Sequence, residues 1–473
     1  MWEQLKQIGK SSAIYGLGNV ANSILSFLLV PLYTHHLSTS EFGAYSLLIT
    51  GFGLLSIVID AGLTNSVGRY YFDGSPQETA AELAIRRTRL ISTALLLNAL
   101  IAAAVAGVTI LGAEIGAGVL FPGTNGADLT QQANNLRILG FALFFRGLTV
   151  APQVYLRVTE QPVAYSILTS GQIVIFLVLN IVLLTSTGLG IAGLFYSLLV
   201  STMLYAVGLL WVIRDDLRWC LDTELSRELF RFGLPFLPVL LNMWIIDLSD
   251  RYLLGLYLST SVVGIYSLGY KFGQAMQLVV TAFSMGWVPV RFKILSLDQP
   301  QVIYSRVATF YLAAAGMAWV TLTAFAPELV RLTSTPPYFG AAQFVGPVGL
   351  AYLINGLFVL AVTGLGVAKN ASRVPLVSLG AVILNVVLNI LFIPLVGAIA
   401  AAYATIVAYA FLAAGSLYYS QKLYPIAYEY RSCAVLAGGM LAMVVAASFA
   451  DSLAPWATVP VKLLIFPAFV AVV

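Results

Sequence analysis

The chain has 473 residues, 60% of them hydrophobic and only 9% charged, with a formal net charge of +4. A soluble domain carries roughly 25% charged residues, so the composition excludes a water-soluble globular protein and points to one that crosses a membrane many times. Two cysteines, Cys220 and Cys433, exclude a disulfide framework and have no metal-binding spacing.

Apolar runs of roughly 18 to 25 residues recur along the chain, each long enough to cross ~30 Å of hydrocarbon. Fourteen candidate spans begin near Ser12, Phe42, Leu90, Leu136, Val163, Gly190, Phe232, Val262, Val307, Ala342, Val374, Ala398, Ser432 and Val459. The polar start, Met1 to Lys10, enters the first span with no small-residue cleavage site and is expected to stay on the protein. The last run, Val459 to Val473, is short for a crossing, so the expectation is a chain cut within its final helix or a tilted or partial segment.

The distribution of Lys and Arg predicts the orientation. With the N-terminus cytoplasmic, the cytoplasmic segments hold eighteen of the 24 basic residues, from Lys6 and Lys10 to Lys422 and Arg431, and the opposite loops hold only Arg331. Both termini are therefore expected on the cytoplasmic side.

The chain also repeats itself. Leu258-Ser-Thr-Ser-Val-Val-Gly-Ile-Tyr-Ser-Leu268 matches Leu37-Ser-Thr-Ser-Glu-Phe-Gly-Ala-Tyr-Ser-Leu47 at eight of eleven positions, at a spacing of 221. Gly140 to Leu148 resembles Gly349 to Leu357, and Leu177-Val-Leu-Asn-Ile181 pairs with Val386-Val-Leu-Asn-Ile390, both at a spacing of 209; Gly188 and Gly397 align as well. Six spans per repeat is an even number, so the halves share one topology about an axis along the membrane normal. The expected fold is an all-α polytopic membrane protein of about 14 transmembrane helices. Two parallel six-helix repeats, 1–213 and 214–424, precede a C-terminal helix pair, 425–473.

Charges inside hydrocarbon cost at least ~2.5 kcal/mol each at a helix centre, which makes intramembrane charges functional candidates. Arg146 lies about ten residues into the fourth span, near the bilayer middle at 1.5 Å per residue. Lys271 starts a polar row with Gln274, Gln277, Thr281 and Ser284 at steps of three and four, one helical face. The first span carries a matching row, Tyr15, Asn19, Asn22 and Ser26. These rows either line a shared wet cavity or join helices through hydrogen bonds. Asp247 and Arg251 in the seventh span are spaced to pair on one face. That pairing leaves Asp250 offset and the first choice for binding a cation or proton; a self-neutralised structural bridge is the alternative. Asp60, near the inner end of the second span with Arg69 at its mouth, reads as a coupling carboxylate or as a helix-end carboxylate at the interface. Pro235 and Pro238 either bend the seventh span or simply start it.

Enzyme-like signals are weak. His35-His36 has no third ligand in view, no Walker-type Gly-rich loop occurs, and Asn370-Ala-Ser372 matches a glycosylation sequon in an expected cytoplasmic turn. No cofactor, metal or nucleic-acid partner is expected. Transport must then draw on an ion gradient, the membrane potential or substrate exchange.

The stretch from Asp250-Arg-Tyr-Leu-Leu-Gly to Ser267-Leu-Gly-Tyr-Lys271 resembles the seventh-to-eighth helix region of polysaccharide repeat-unit flippases. The run from Leu37 to Ser46, with Asp60-Ala-Gly-Leu63 and Arg69-Tyr-Tyr71, is similar to that family's opening helices. The resemblance covers nearly the whole chain. It separates this family well from unrelated transporters and poorly from its sisters, the multidrug exporters and the lipid-linked peptidoglycan precursor flippase.

The resemblance implies two six-helix lobes in a V around a cavity lined by basic and polar groups. It implies a cargo of undecaprenyl pyrophosphate carrying an oligosaccharide, moved from the inner to the outer leaflet of the bacterial plasma membrane. It further implies alternating access coupled to H+ or Na+, and partners in polysaccharide polymerisation and export. Arg146, Arg251 and Lys271 carry over as anion-facing positions, with Asn19, Asn22, Gln274, Gln277 and Arg69 as polar neighbours. Asn355 stands where the second lobe would repeat Arg146. Asp60, Asp247 and Asp250 are the ion-coupling candidates. A drug or small-molecule antiporter is the competing reading on the same fold. A membrane-embedded polymerase or ligase needs a large external loop, whereas the longest one, Gly112 to Asn135, has only Glu114 and Asp128 as charges.

Overall fold

The structure is a computed structural model that describes residues 27–73, 78–218, 220–370, 372–450 and 462. Every regular element among them is helical, and eleven helices are long and apolar enough to cross a membrane. They coincide with eleven of the expected spans. Of the expected span near Ser12 only the end, helical at 27–36, is among the described residues, the one near Val459 lies outside them but for Lys462, and the one near Val262 is broken in two. The count of about 14 is thus not reached among the described residues.

The chain divides into two compact units, 1–244 and 245–473. The first contains α1 (Thr39–Asp60), α2 (Leu63–Tyr70), α3 (Ala80–Leu111), α4 (Ala127–Val158), α5 (Pro162–Ser186), α6 (Ile191–Ile213) and α7 (Thr223–Gly233). The boundary falls inside α8 (Leu237–Tyr257). The second unit continues with α9 (Thr260–Gly273), α10 (Met276–Ile294), α11 (Pro300–Ala324), α12 (Ala342–Ala361), α13 (Val374–Val396), α14 (Ile399–Leu423) and α15 (Tyr430–Ala450).

The sequence repeat has a physical content. Its second residue, Ser38 in one copy and Ser259 in the other, is the N-cap of a helix, accepting from the backbone N–H of Glu41 and Val262 respectively. Such a cap contributes about 1 kcal/mol. Only the first copy closes a capping box, because Glu41 returns the bond to Ser38 N at 2.8 Å. The matched glycines Gly188 and Gly397 both take positive φ, 65° and 84°, the region an L side chain avoids. The matched blocks at Gly140 and Gly349 lie on α4 and α12, the central helices of their units. Helix α4 packs on α1, α2, α3 and α6; α12 packs on α9, α10, α11 and α14.

Two spans are interrupted. The second bends where Ala61 and Gly62 both turn left-handed, at φ 47° and 75°. Asp60 then caps the restarted helix α2, accepting from Thr64 N at 3.1 Å and Thr64 Oγ1 at 2.7 Å. The eighth ends at Gly273 and restarts at Met276. Tight i→i−3 bonds fill the joint, from Ala275 N to Phe272 O at 3.0 Å and from Gln277 N to Gln274 O at 2.8 Å. The expected row from Lys271 to Ser284 is therefore not one face of one helix. Just ahead of the break, Gly269 and Gly273, four apart, let the main chain approach closely at Ala341, which leads into α12, and at Val345 within it.

The segment after α6 belongs to the first unit because α3 holds it. Ser92 Oγ accepts from Arg218 N at 2.9 Å, Thr93 Oγ1 accepts from Asp222 N at 3.3 Å, and Arg89 reaches the Asp222 carboxylate at 3.4 Å. Asp222 in turn caps α7. Helix α7 then lies on α2 through a glycine contact. A Cβ on Gly233 would stand 2.6 Å from Ser66 Oγ and 2.9 Å from the carbonyl carbon of Gly62, while Ser66 Oγ donates to Leu229 O at 2.7 Å. The expected lobe boundary at 213/214 cuts ahead of this docked piece.

Gly233→Ala is expected to destabilise the protein by about 1–3 kcal/mol through overpacking. Gly68→Ala, on α2 with nothing within 4 Å of its Cβ, is expected to be neutral or up to about 1 kcal/mol stabilising through helix propensity. Thermal unfolding in detergent measures both, and equal midpoints for the two variants would rule out the glycine contact as a constraint.

Candidate functional site

The charged residues expected in the membrane fall into two groups, one in each unit. In the first unit Arg146 sits on α4, half-buried, and folds back on its own helix. Its Nη1 donates to Thr149 Oγ1 at 2.7 Å, and that hydroxyl donates to Arg146 O at 2.8 Å. Asp60, Tyr165 and Tyr205 lie within its electrostatic reach, so the structure brings Arg146 and Asp60 into one neighbourhood. Arg69 is apart from them, exposed near the end of α2 with its guanidinium 4.9 Å from the Phe232 ring of α7. Asn19 and Asn22 lie outside the described residues.

The second group is denser. Asp250 is fully buried on α8, and Arg251 beside it is 6% exposed. Arg251 Nη1 donates to Asp250 Oδ1 at 3.2 Å and to the main-chain oxygen of Asp247 at 3.0 Å. Its guanidinium also lies 4.2 Å from the centre of the Tyr270 ring. This corrects the expected pairing, in which Asp247 held Arg251 and left Asp250 offset. The i,i+4 rule describes solvated helix surfaces; here the neighbouring helices choose the partners. Asp247 Oδ1 instead accepts from Tyr409 Oη on α14 at 2.5 Å and from Tyr270 Oη on α9 at 3.4 Å. Tyr266 on α9 donates to Asp250 Oδ2. Tyr270 and Tyr352 on α12 meet hydroxyl to hydroxyl at 2.9 Å.

Four tyrosines thus surround two carboxylates and one guanidinium, and sequence reasoning singled out none of them. One signal was available. Tyr266 and Tyr270 are four apart and share a face of α9, and Tyr266 occupies the tyrosine position of the repeated motif, matching Tyr45. The glycine approach of α9 to α12 brings Tyr352 within reach. Chemically the cluster is a neutralised ion pair with a second carboxylate, Asp247, that is only partly buried and whose side-chain hydrogen bonds come from the Tyr409 and Tyr270 hydroxyls. Phenols can donate or accept, so Asp247 is the group able to change partners without stranding a buried charge.

The other expected residues lie around this cluster without closing it. Lys271 occupies the last turn of α9, Gln274 is exposed in the joint, and Gln277 opens α10 and reaches Thr281 Oγ1 at 3.4 Å. Asn355 is half-buried on α12, three residues beyond Tyr352.

A sequence model of the polysaccharide biosynthesis protein family matches residues 8–295. No curated protein matches the chain. Among solved structures, a lipid II flippase MurJ in an inward closed conformation is similar with a TM-score of 0.77 at 13% identity, over 97% of this chain and 98% of that one. An inward-facing multidrug resistance MATE family transporter of the MOP superfamily gives 0.67 at 12% identity, over 85% and 94%. A Vibrio cholerae MATE transporter gives 0.56 at 15% identity, over 88% and 96%. At these identities the likeness is one of fold.

Arg251→Gln leaves Asp250 buried without its cation and is expected to cost about 3–5 kcal/mol. Adding Asp250→Asn removes the stranded charge and is expected to recover most of that loss. Thermal unfolding of the two single variants and the double variant checks this, and additive losses would show that the two side chains are not a pair.

Proposed function

We propose, because this chain belongs to the polysaccharide biosynthesis protein family, that it moves oligosaccharide repeat units linked to undecaprenyl pyrophosphate from the inner to the outer leaflet of a bacterial inner membrane. The family match carries the reading. The likeness in fold to a protein described as a lipid II flippase, over nearly the full length of both chains, supports a lipid-linked cargo. Two six-helix lobes, with the segment after α6 docked on the first of them, followed by a helix pair, 425–473, work by alternating access, with both termini cytoplasmic. The glycan then passes to polymerisation and export machinery. A multidrug antiporter is the second reading, favoured by the likeness to MATE transporters. Such an antiporter would confer drug efflux and leave surface polysaccharide intact, whereas deletion of the flippase gene abolishes the glycan and accumulates its lipid-linked precursor.

Arg146 and Lys271 attract the pyrophosphate, because a charge near mid-bilayer is retained only for a polar task. Coupling to H+ or Na+ falls to a carboxylate. Asp247 replaces Asp250 as the first choice, since Asp250 is fully buried against Arg251 while Asp247 is partly exposed and bound by hydroxyls. Asp60, bound to Thr64, comes after it. One elementary charge crossing the field is worth about 2.3 kcal/mol per 100 mV, so one or two coupled charges suffice to bias the cycle.

Single cysteines placed within Gly112 to Asn135 and Pro327 to Gly340 are expected to react with an impermeant thiol reagent in intact cells; labelling only after lysis would reverse the orientation. Arg146→Ala and Lys271→Ala are each expected to impair glycan export at near-normal protein abundance, and wild-type export by both would remove the binding role. In liposomes with imposed proton or sodium gradients, Asp247→Asn is expected to abolish gradient dependence. Unchanged dependence in Asp247→Asn would pass the role to Asp60, and gradient-independent transport by the wild type would remove coupling altogether.

A further inference from the structure

We propose that a groove beside the adjoining ends of α14 and α15 binds one anionic phospholipid of the surrounding bilayer, its phosphate on Lys422 and an acyl chain along α14. The groove has a volume of about 470 Å³ and is lined by Ala414, Leu417, Tyr418, Gln421, Lys422 and Tyr430. Its composition is graded: small and apolar toward the middle of α14, aromatic and cationic at the end. That gradient matches a lipid crossing from hydrocarbon to headgroup, where tyrosines concentrate.

The polar end is built. Lys422 Nζ rests 4.3 Å from the centre of the Tyr418 ring, which holds the ammonium over the groove. Gln421 staples the turn that follows: its Nε2 donates to Ile426 O at 2.7 Å and its Oε1 accepts from Ile426 N at 2.6 Å. Ile426 is buried under that staple. The turn returns the chain so that Tyr430 stands across from Lys422, its hydroxyl 3.5 Å from Gln421 Nε2. The carboxylate of the same turn, Glu429, is taken by Thr309 Oγ1 of α11 at 2.8 Å. The acid thus points to α11 while the cation faces the groove, which selects for a negative headgroup.

The apolar end continues beyond the groove. Phe411, Val407 and Tyr403 follow Ala414 at helical steps and are 43, 43 and 54% exposed, one stripe along the outer face of α14. From Tyr418 to Tyr403 this stripe rises about 22 Å, more than the ~15 Å that one leaflet of a ~30 Å core requires. An acyl chain has that length, and a soluble partner would find no reason to follow a stripe into hydrocarbon. Assignment to the inner leaflet rests on the orientation proposed above; occupancy of the groove does not.

The test uses the full chain in mild detergent with mixed micelles of phosphatidylcholine and phosphatidylglycerol, and native mass spectrometry to count retained lipid. Phosphatidylglycerol is expected to be retained selectively, and Lys422→Gln to retain it about fivefold less. Tyr430→Ala is expected to lose it similarly. Lys293→Gln, a basic residue near the end of α10, is expected to retain it as the wild type does. Because Lys422 is exposed, its replacement leaves the fold intact, and an unchanged unfolding midpoint verifies that. Equal retention of the two lipids, or undiminished retention by Lys422→Gln, would overturn the proposal. Displacement of phosphatidylglycerol by stoichiometric undecaprenyl phosphate would overturn it too, assigning the groove to the cargo's lipid. Retention is read in detergent, so an error in orientation or in cargo leaves this result standing.

Discussion

No water is available in hydrocarbon to replace a missing backbone hydrogen bond, and this chain is shaped by how it meets that condition wherever a helix stops. At Ala61 and Gly62 the helix is broken by two left-handed residues, and the carboxylate of Asp60 supplies the restarted turn. At Gln274 and Ala275 the joint tightens to i→i−3 bonding and leaves little unpaired. At Ser38 and Ser259 a hydroxyl starts the helix in each half. The buried arginine follows the same logic. Arg251 gives its Nη1 hydrogens to a carboxylate and a main-chain carbonyl and lays its face on an aromatic ring, so protein groups stand where water would otherwise be needed.

How much of this was legible in the sequence depended on whether the cause was local. Span positions follow from runs of apolar residues, and eleven of them stand where the pattern put them. The repeated Leu-Ser-Thr-Ser starts a helix in both halves, because capping is a property of a few adjacent residues. The pairing of Arg251 was not legible. Spacing along α8 favoured Asp247, but Tyr270 and Tyr409 arrive from α9 and α14 and occupy that carboxylate. The seating of α9, which carries Tyr270, involves Gly269 and Gly273 admitting the chain at 341–348, a contact between residues far apart in sequence. The break in the eighth span was also not legible, because an unbroken apolar-polar rhythm does not register a joint closed by i→i−3 bonds.

The two halves keep a common backbone plan and exchange their chemistry. At the spacing of 221, Asp250 and Arg251 correspond to Leu29 and Val30, which are buried at 5% and 1% exposure. At the spacing of 209, Arg146 corresponds to the neutral Asn355. Each half therefore carries a charged locus at a position its counterpart leaves uncharged. The buried asparagines show the same divergence. Asn180 takes its bond from Tyr33 at 2.9 Å, but Leu254 stands at the matching position in the second half, and Asn389 turns to Asn385 at 3.2 Å.

The bonds that lace residues 218–222 onto α3, and Ser66 onto α7, join positions more than 120 apart in the chain. None can form until residues 218–229 have left the ribosome, and the α7 helix they lead into immediately precedes α8. Synthesis proceeds from the N-terminus at about 5–20 residues per second, so the first half stays unlatched for roughly 6 to 33 seconds and closes just as the second half begins to enter the membrane. The piece that completes one half is thus also the last soluble stretch before the next hydrophobic segment. A ribosome pausing there would leave a finished half in the bilayer, whereas one pausing before it would leave six helices without their clasp, a substrate for membrane quality-control proteases.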